Sequence, residues 1–261
     1  MRSLNIGASG MMAQQLNVEV ISNNIANMST TGYKRQRAEF QDLLYQQEVR
    51  SGTPTSDAGT VQPTGVQVGL GVRAAAISRI NEQGAFVKTD NRLDVALQGP
   101  GYFTVELPNG DTAYTRAGFF QLSPDGVIVT ADGYPVQPNI TIPADAKDVS
   151  ITNAGEVFVY FDGQVAPQNV GQFELATFIN QNGLEATGNN LFRETTASGA
   201  PSTGVAGGTG FGTMLQGFLE GSNVNVVAEI TSLIQAQRAY EMNSKTIETS
   251  DQMMQTVTQL R

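Results

Sequence analysis

Apolar residues near the N-terminus recur at intervals of three, four or seven positions. The residues on this spacing include Leu4, Met11, Val18 and Ile25. Such a repeat is typical of the face along which helices pair in a coiled coil. It predicts a helix over residues 3–28, about 40 Å long, ended by Gly32, which can take the left-handed conformation. Polar residues interrupt the repeat, so we expect this helix to be weak by itself.

The C-terminal end of the chain carries the same repeat. Its members are Val226, Ile230, Leu233, Tyr240, Ile247, Met254 and Val257. Ser222, Asn223 and Asn225 precede the repeat and are N-cap candidates. No glycine or proline interrupts it, so it predicts a second helix of about 35 residues.

Between these helices the pattern changes to a period of two, typical of half-buried strands. Val66 and Val68 follow it, as do Val157 and Val159. Dipeptides of Asn or Asp with Gly separate such segments and favour primed turns in β-hairpins. They are Asn109-Gly110, Asp125-Gly126, Asp132-Gly133, Asp162-Gly163 and Asn182-Gly183. We predict an α+β fold, with terminal helices that pair as a coiled coil and an inserted antiparallel β-rich domain, a barrel or a sandwich.

Four segments follow from these patterns. They are an N-terminal helix of a core domain at 1–32, an extended connecting arm at 33–72, a β-rich outer domain at 73–220 and a C-terminal helix of the core domain at 221–261. Within the arm, prolines and glycines at 51–65 exclude a regular helix. Composition alone favours a flexible linker there.

Composition narrows the function classes. The chain has 261 residues and a net charge of −9, which argues against binding nucleic acid. Cysteine and histidine are absent, which removes thiolate catalysis and the commonest general base and metal ligand. Composition still allows hydrolysis by paired carboxylates, but our expectation is no enzymatic activity, no cofactor and no metal site. No apolar run reaches the roughly 20 residues of a membrane span, and the N-terminus lacks the pattern of a cleaved signal peptide.

The outer faces of the two predicted helices are polar but mostly uncharged. Charged residues make up 15% of the chain, against about 25% in typical domains. In the first helix these faces hold Asn23, Asn24 and Asn27. A helix pair in an ordinary monomer buries only one stripe of each helix. Amide side chains can pair across interfaces without desolvating ions, so the pattern favours assembly with further copies over a monomer.

Several stretches of the chain carry a family resemblance. They are NNIANMSTTGYKR at 23–35, the motifs at 93–105, 114–136 and 183–199, and EGSNVNVVAEITSLIQAQRAYEMNSKTI at 220–247. Together they resemble, in the same order, the signatures of the flagellar axial proteins, which are the rod and hook components of the bacterial flagellum. The segment 49–73 is similar to the extended arm of the distal rod members.

The resemblance implies a structural subunit of the distal rod. Copies would assemble helically into a rigid hollow drive shaft that transmits torque across the periplasm to the hook and conducts exported proteins. Implied partners are further copies, proximal rod proteins, the hook protein, the rod cap, the surrounding peptidoglycan-layer and outer-membrane rings, and the flagellar type III export apparatus. The implied location is the periplasmic part of the flagellar basal body, reached without a cleaved signal peptide.

The resemblance also assigns three groups of residues. The assembly core of the helices comprises Leu4, Met11, Val18, Asn23, Asn24, Ile25, Asn27, Ile230, Leu233, Tyr240, Asn243, Ile247 and Met254. The signature turn comprises Thr31, Gly32, Tyr33 and Lys34. The stiffening arm comprises Pro54, Pro63, Gly65, Gln67 and Gly69.

Two alternatives stay open. One is a proximal rod or hook-type protein of the same family. The other is a secreted β-domain protein that binds carbohydrate, or one that hydrolyses glycosides with paired carboxylates such as Glu106 and Asp111. Deleting the N-terminal helix would separate the classes, because a binding domain would keep its function and a polymer subunit would not.

Overall fold

The structure is a computed structural model that describes residues 2–51, 64–162 and 166–259. The fold is α+β, with one long helix near each end of the chain and β-strands between them. The chain divides into two compact units. The first holds Met1–Ala26, Gln36–Ser78 and Asn225–Arg261, and the second holds Asn27–Arg35 and Arg79–Val224.

The first unit contains both predicted helices, α1 (Arg2–Ala26) and α2 (Val226–Gln259). Asn225 caps α2, since its side-chain Oδ1 accepts a hydrogen bond from the Ala228 N–H at 3.2 Å and satisfies one of the donors that a helix N-terminus leaves open. α1 ends in a turn in which Thr30 N–H donates to the Asn27 carbonyl at 3.2 Å.

The first unit also contains a β-ribbon built from two successive strand pairs. Its four strands are β1 (Gln36–Asp42), β2 (Tyr45–Val49), β3 (Val66–Gly69) and β4 (Val72–Arg79). β1 pairs with β4 and β2 pairs with β3. Leu43 N–H donates to the Gly71 carbonyl and Leu70 N–H to the Leu44 carbonyl, at 2.9 and 3.2 Å, so the two pairs form one continuous ribbon.

The second unit is built from antiparallel strand pairs. Its strands are β5 (Phe86–Lys88), β6 (Val95–Gln98), β7 (Tyr102–Glu106), β8 (Thr112–Thr115), β9 (Gln121–Leu122), β10 (Ile128–Val129), β11 (Ala146–Ile151), β12 (Glu156–Phe161), β13 (Gln168–Gln172), β14 (Glu174–Thr177), β15 (Glu185–Gly188), β16 (Leu191–Arg193), β17 (Ser202–Val205), β18 (Thr213–Gln216) and β19 (Phe218–Glu220). The sheet with the most strands has the order β15-β16-β8-β7-β14-β17. β11, β12 and β13 form a three-stranded sheet, and β18 and β19 pair with β6 and β5.

The turns differ in type from the prediction. At Gly110, Gly126 and Gly133 only the glycine has a positive φ, of 82°, 79° and 85°, whereas a type I′ turn needs positive φ at both central residues. The prediction of type I′ turns there is wrong. Asn182-Gly183 lies in a 3-10 helix (Gln181–Gly183). The pair with two positive φ angles, 52° and 59°, is Asn189-Asn190, which joins β15 to β16.

The described residues of the second unit form two hydrophobic clusters. The main cluster combines inward-facing strand residues, such as Val157 and Val159, with residues between strands, such as Phe120 and Phe173. The rings of Phe103 and Phe120 meet edge to face in it, with their centroids 5.0 Å apart. The smaller cluster gathers Tyr102, Tyr114 and Phe178. These clusters give the unit a core of its own.

Candidate assembly surface

The two helices of the first unit pack antiparallel at close range. A Cβ atom placed on Gly7 would lie 2.8 Å from Ile247 Cγ1, and one placed on Gly10 would lie 2.8 Å from Asn243 Nδ2. Such distances are shorter than van der Waals contact, so a Cβ at position 7 would displace the branched side chain of Ile247 and one at position 10 would displace the terminal amide of Asn243. The two glycines that weaken α1 as an isolated helix therefore serve its pairing with α2.

The buried residues of the two helices are mostly small or polar, with Val20 and Ile21 as the larger apolar members. The residues buried on α1 are Gly7, Ala13, Val20, Ile21 and Asn24. On α2, Glu229, Ala236 and Ser250 are buried and Asn243 is half-buried. These four positions of α2 are seven residues apart. The seam therefore keeps a seven-residue repeat but uses other positions than the apolar repeat in the sequence.

The predicted assembly-core residues consequently divide into several groups. Leu4, Met11, Val18, Ile25, Asn27, Leu233, Asn243 and Ile247 are half-buried. Asn23, Ile230, Tyr240 and Met254 are exposed, and Asn24 is buried. Among large apolar side chains of α2, Val227, Ile234, Met242 and Met253 are exposed as well. The helix pair thus leaves much of its aliphatic surface outside its own seam.

Asn24 is a link inside the chain. Only 1% of its surface is exposed. Its Nδ2 donates to the Gln36 carbonyl at 2.8 Å and to Glu229 Oε2 at 3.2 Å, and its Oδ1 accepts from the Gln36 N–H at 2.9 Å. This asparagine therefore joins α1 to α2 and to the start of the ribbon, and its hydrogen bonds compensate the burial of its amide.

The signature turn lies in the second unit. Gly32 has a φ of 69°, and its N–H donates to the Glu220 carbonyl at 2.8 Å. A Cβ atom at this position would lie 3.0 Å from backbone atoms of Arg116 and Ala117. Thr31 and Tyr33 are half-buried beside it. Both the conformation and the close backbone contact require glycine at position 32.

Lys34 completes a buried triad of charges with Glu220 and Arg116. Lys34 Nζ lies 2.6 Å from Glu220 Oε1, and Arg116 Nε lies 2.6 Å from Glu220 Oε2. Lys34 also donates to the Glu82 carbonyl at 2.8 Å. Arg116 donates to carbonyls of the chain around it, those of Leu97, Gly99 and Gly101. Backbone carbonyls thus help to compensate the second cation.

The triad shifts the ionisation of its members. Burial by itself opposes ionisation of Glu220, but the Arg116 and Lys34 cations outweigh it and hold the pKa of Glu220 below its ordinary value. Burial lowers the pKa of Lys34, and Glu220 offsets this only in part. The carboxylate of Glu220 is therefore the charge on which the triad depends.

The ribbon contains the described part of the predicted stiffening arm. Gln67 and Gly69 lie in β3, and Gly65 directly precedes it. Pro54 and Pro63 lie outside the described residues. α1 lies along the ribbon, since Ser9 Oγ accepts from the Val72 N–H at 3.3 Å and Arg2 pairs with Glu48 at 2.6 Å.

Much of the apolar surface of the ribbon is exposed. Its exposed apolar side chains are Leu44, Tyr45, Val49, Val66, Leu70 and Ile77. The residues of β2 are exposed throughout. An isolated pair of strands is marginally stable in water. The exposed apolar side chains of the ribbon do not stabilise a single chain, because they remain in contact with water.

The carboxylates named for glycoside hydrolysis have other partners. Asp111 pairs with Arg193 at 2.6 Å, and Glu106 accepts from Gln137 Nε2 at 3.4 Å. A cavity of about 710 Å³ lies in the second unit, and neither carboxylate lines it. In the described part of the chain, no helix is long and apolar enough to cross a membrane.

Known proteins resemble this chain over its whole length. A protein named "Flagellar basal-body rod protein FlgG" from Caulobacter vibrioides is 60% identical over 261 residues, which is 100% of each chain. Proteins of the same name from Agrobacterium fabrum and Buchnera aphidicola are 52% and 50% identical, over 97% and 99% of each chain. This chain belongs to the flagellar basal-body rod protein family.

Three family models match parts of this rod-family chain. The model described as "Flagella basal body rod protein" matches residues 4–34, and the one described as "Flagellar basal body rod FlgEFG protein C-terminal" matches 215–260. The model described as "Flagellar hook protein FlgE/F/G D1 domain" matches 96–159. Lys34–Glu220 and Asn24–Glu229 each join the first of these segments to the second. In this rod-family protein the two terminal signatures therefore bind each other within one chain.

Proposed function

We propose that this protein is a structural subunit of the distal part of the flagellar rod. Copies assemble helically into a rigid hollow drive shaft, which transmits torque across the periplasm to the hook and conducts exported proteins. The identity of 45–60% to proteins named as flagellar basal-body rod proteins, over nearly the whole chain, supports this function. The chain's own surface supports assembly independently.

The helix pair supports assembly most directly, because its buried and its exposed positions carry different kinds of side chain. The buried residues of the pair are mostly small or polar, besides Val20 and Ile21, whereas α2 exposes Val227 by 75%, Ile230 by 45% and Ile234 by 45%. These three positions share one side of the helix, three and four residues apart. Burying such side chains against further copies is favourable, and a lone chain leaves them in water.

The seven-residue repeat of the seam supports coiled-coil pairing of α1 and α2. Glu229, Ala236, Asn243 and Ser250 recur at the interval that keeps a seam facing its partner in a left-handed supercoil. Small residues at the seam bring the helix axes close. We infer that α1 and α2 form a two-helix coiled coil, and that neighbouring copies pack against the outer faces of this coiled coil.

The ribbon supports the stiffening role of the arm. Its exposed apolar side chains and open strand edges are favourable only when another surface covers them. We infer that the arm, residues 33–72, lies against adjacent copies and resists their sliding. We further propose that residues 1–32 and 221–261 form the core domain of the subunit and that residues 73–220 form a separate β-rich domain.

Location and partners follow from the same proposal. The protein functions in the flagellar basal body with other flagellar components. We propose that it passes the flagellar type III export apparatus without a cleaved signal peptide. We also propose that it contacts proximal rod proteins, the hook protein, the rod cap and the surrounding rings, without inserting into a membrane. Successive copies joined by one repeated heterologous contact give an open helical tube rather than a closed ring.

The test is electron microscopy and sedimentation of the purified full chain at rising concentration. A chain in which residues 51–65 are replaced by a Gly/Ser stretch of the same length tests the arm without changing the length of the chain. Straight tubes from the natural chain and curved or short tubes from the replaced chain are the expected result. A natural chain that stays monomeric throughout would contradict self-assembly, and equally straight tubes from both chains would contradict the stiffening role.

A further inference from the structure

A groove lies between α1 and α2 on the outer side of the helix pair. Its volume is about 350 Å³, and its lining is Gln15, Val18, Glu19, Gln237, Tyr240 and Glu241. Val18 is half-buried and Tyr240 is 43% exposed, so they give the groove an apolar floor. Glu19 on α1 and Glu241 on α2 place one exposed carboxylate on each helix beside it.

Neither carboxylate forms an ion pair among the described residues, although Arg238 and Lys245 are three and four residues from Glu241 on α2. In the described part of the chain, neither lies within 4.0 Å of a basic group, and Glu19 accepts a hydrogen bond from Gln15 Nε2 at 3.2 Å. An apolar floor between two negative charges fits basic side chains, which bury their methylene stems and keep the charge at the rim. The groove therefore has the chemistry to receive a basic, partly apolar helix face.

α2 itself presents such a face. Arg238, Met242 and Lys245 stand at positions i, i+4 and i+7, so they lie on one side of the helix over about 10 Å. All three are exposed, and Met242 is 72% exposed. Among the described residues no carboxylate lies within 4.0 Å of Arg238 or Lys245. A flexible methionine between two cations matches an apolar floor between two carboxylates.

We propose that the groove of one copy receives the Arg238–Met242–Lys245 face of α2 from a second copy. This contact deepens the proposed function and rests on it. Met242 packs on Val18 and Tyr240, while the two cations face Glu19 and Glu241. The two surfaces differ, so the contact is heterologous: each copy offers its groove to one neighbour and its basic face to another, and the contact propagates along an open helix.

The test reverses the charges on each surface separately and then on both. Glu19→Lys with Glu241→Lys makes the groove basic, and Arg238→Glu with Lys245→Glu makes the α2 face acidic. Each double variant is expected to need at least about tenfold more protein to assemble, because like charges then meet. The chain with all four substitutions restores the pairing of opposite charges and is expected to assemble within about twofold of the natural chain. An equimolar mixture of the two double variants is expected to copolymerise.

The control variant changes the net charge by the same amount as the basic-groove variant, but at positions in the second unit. Glu174→Lys with Glu185→Lys alters two exposed residues of the second unit and is expected to leave assembly unchanged. Far-UV circular dichroism checks that each variant keeps its helices. Tubes that form equally well from the basic-groove variant would overturn this contact alone. The contact would also be overturned if the chain with all four substitutions kept its helices but did not assemble. A natural chain that never assembles would overturn both the proposed function and this contact.

Discussion

Replacing Glu220 by Gln is expected to destabilise the second unit strongly. The Glu220 side chain is 1% exposed, and those of Lys34 and Arg116 are 7% and 8% exposed. Glutamine is nearly isosteric but neutral, so two buried cations would remain with no anion. The change also removes two charge-assisted contacts of 2.6 Å. Removing one partner from a buried ion pair costs about 3–5 kcal/mol, a large share of the roughly 5–15 kcal/mol that stabilise a typical domain.

The order of two variants makes this prediction sharper. Lys34→Met leaves a neutral Arg116–Glu220 pair and frees the Glu82 carbonyl, so its expected cost is only about 1–2 kcal/mol. Glu220→Gln should therefore destabilise more than Lys34→Met. Glu185→Gln, at an exposed strand position, serves as the control and is expected to change stability by less than about 0.5 kcal/mol.

Urea unfolding followed by near-UV circular dichroism measures these differences. The buried rings of Tyr102 and Tyr114 report on the second unit. With an m-value of about 2–3 kcal/mol/M, Glu220→Gln should lower the midpoint by about 1–2 M. A loss under about 1 kcal/mol, or a Lys34→Met variant that is as unstable as Glu220→Gln, would refute the role assigned to the carboxylate.

Three further predictions concern acid stability and two individual positions. Folding lowers the pKa of Glu220, so the stabilisation by its carboxylate is complete above the pKa of the unfolded chain, about 4.3, and is lost as pH falls through the folded pKa. The difference in unfolding free energy between the natural chain and Glu220→Gln should therefore shrink in that acid range. A difference that stays constant with pH would contradict this. Asn24→Ala should cost about 2–4 kcal/mol in thermal or urea unfolding, since it removes three hydrogen bonds of a buried amide, two to the Gln36 backbone and one to Glu229, while Asn5→Ala on the exposed side of α1 should cost almost nothing. Gly32→Ala should cost more than Gly133→Ala, because both need a positive φ but only the first brings a Cβ against backbone atoms; equal costs would mean that the contact at position 32 relaxes freely.

Sequence periodicity located the elements well but not the surfaces between them. Both helices, the N-cap at Asn225 and the antiparallel β-region are read from spacing and from turn residues, which are local properties. The turn chemistry was predicted less well. An Asn-Asn pair adopts two positive φ angles at 189–190, whereas three Asx-Gly pairs have a positive φ only at glycine. Flanking strands and packing decide between these turn types, and composition alone does not.

The sequence by itself determined that the chain ends are helical, that a β-region separates them, and that the chain resembles flagellar axial proteins. Only the tertiary structure decided which helix faces meet. The partners Asn24–Glu229 and Lys34–Glu220 are 205 and 186 residues apart, and no local pattern connects such positions. A hydrophobic repeat marks residues that share a face, but close packing of two helices is set by side-chain size. Glycine, alanine, serine and asparagine therefore make the close contacts of the seam beside Val20 and Ile21, whereas other large aliphatic residues of α2, such as Val227 and Ile234, stay exposed.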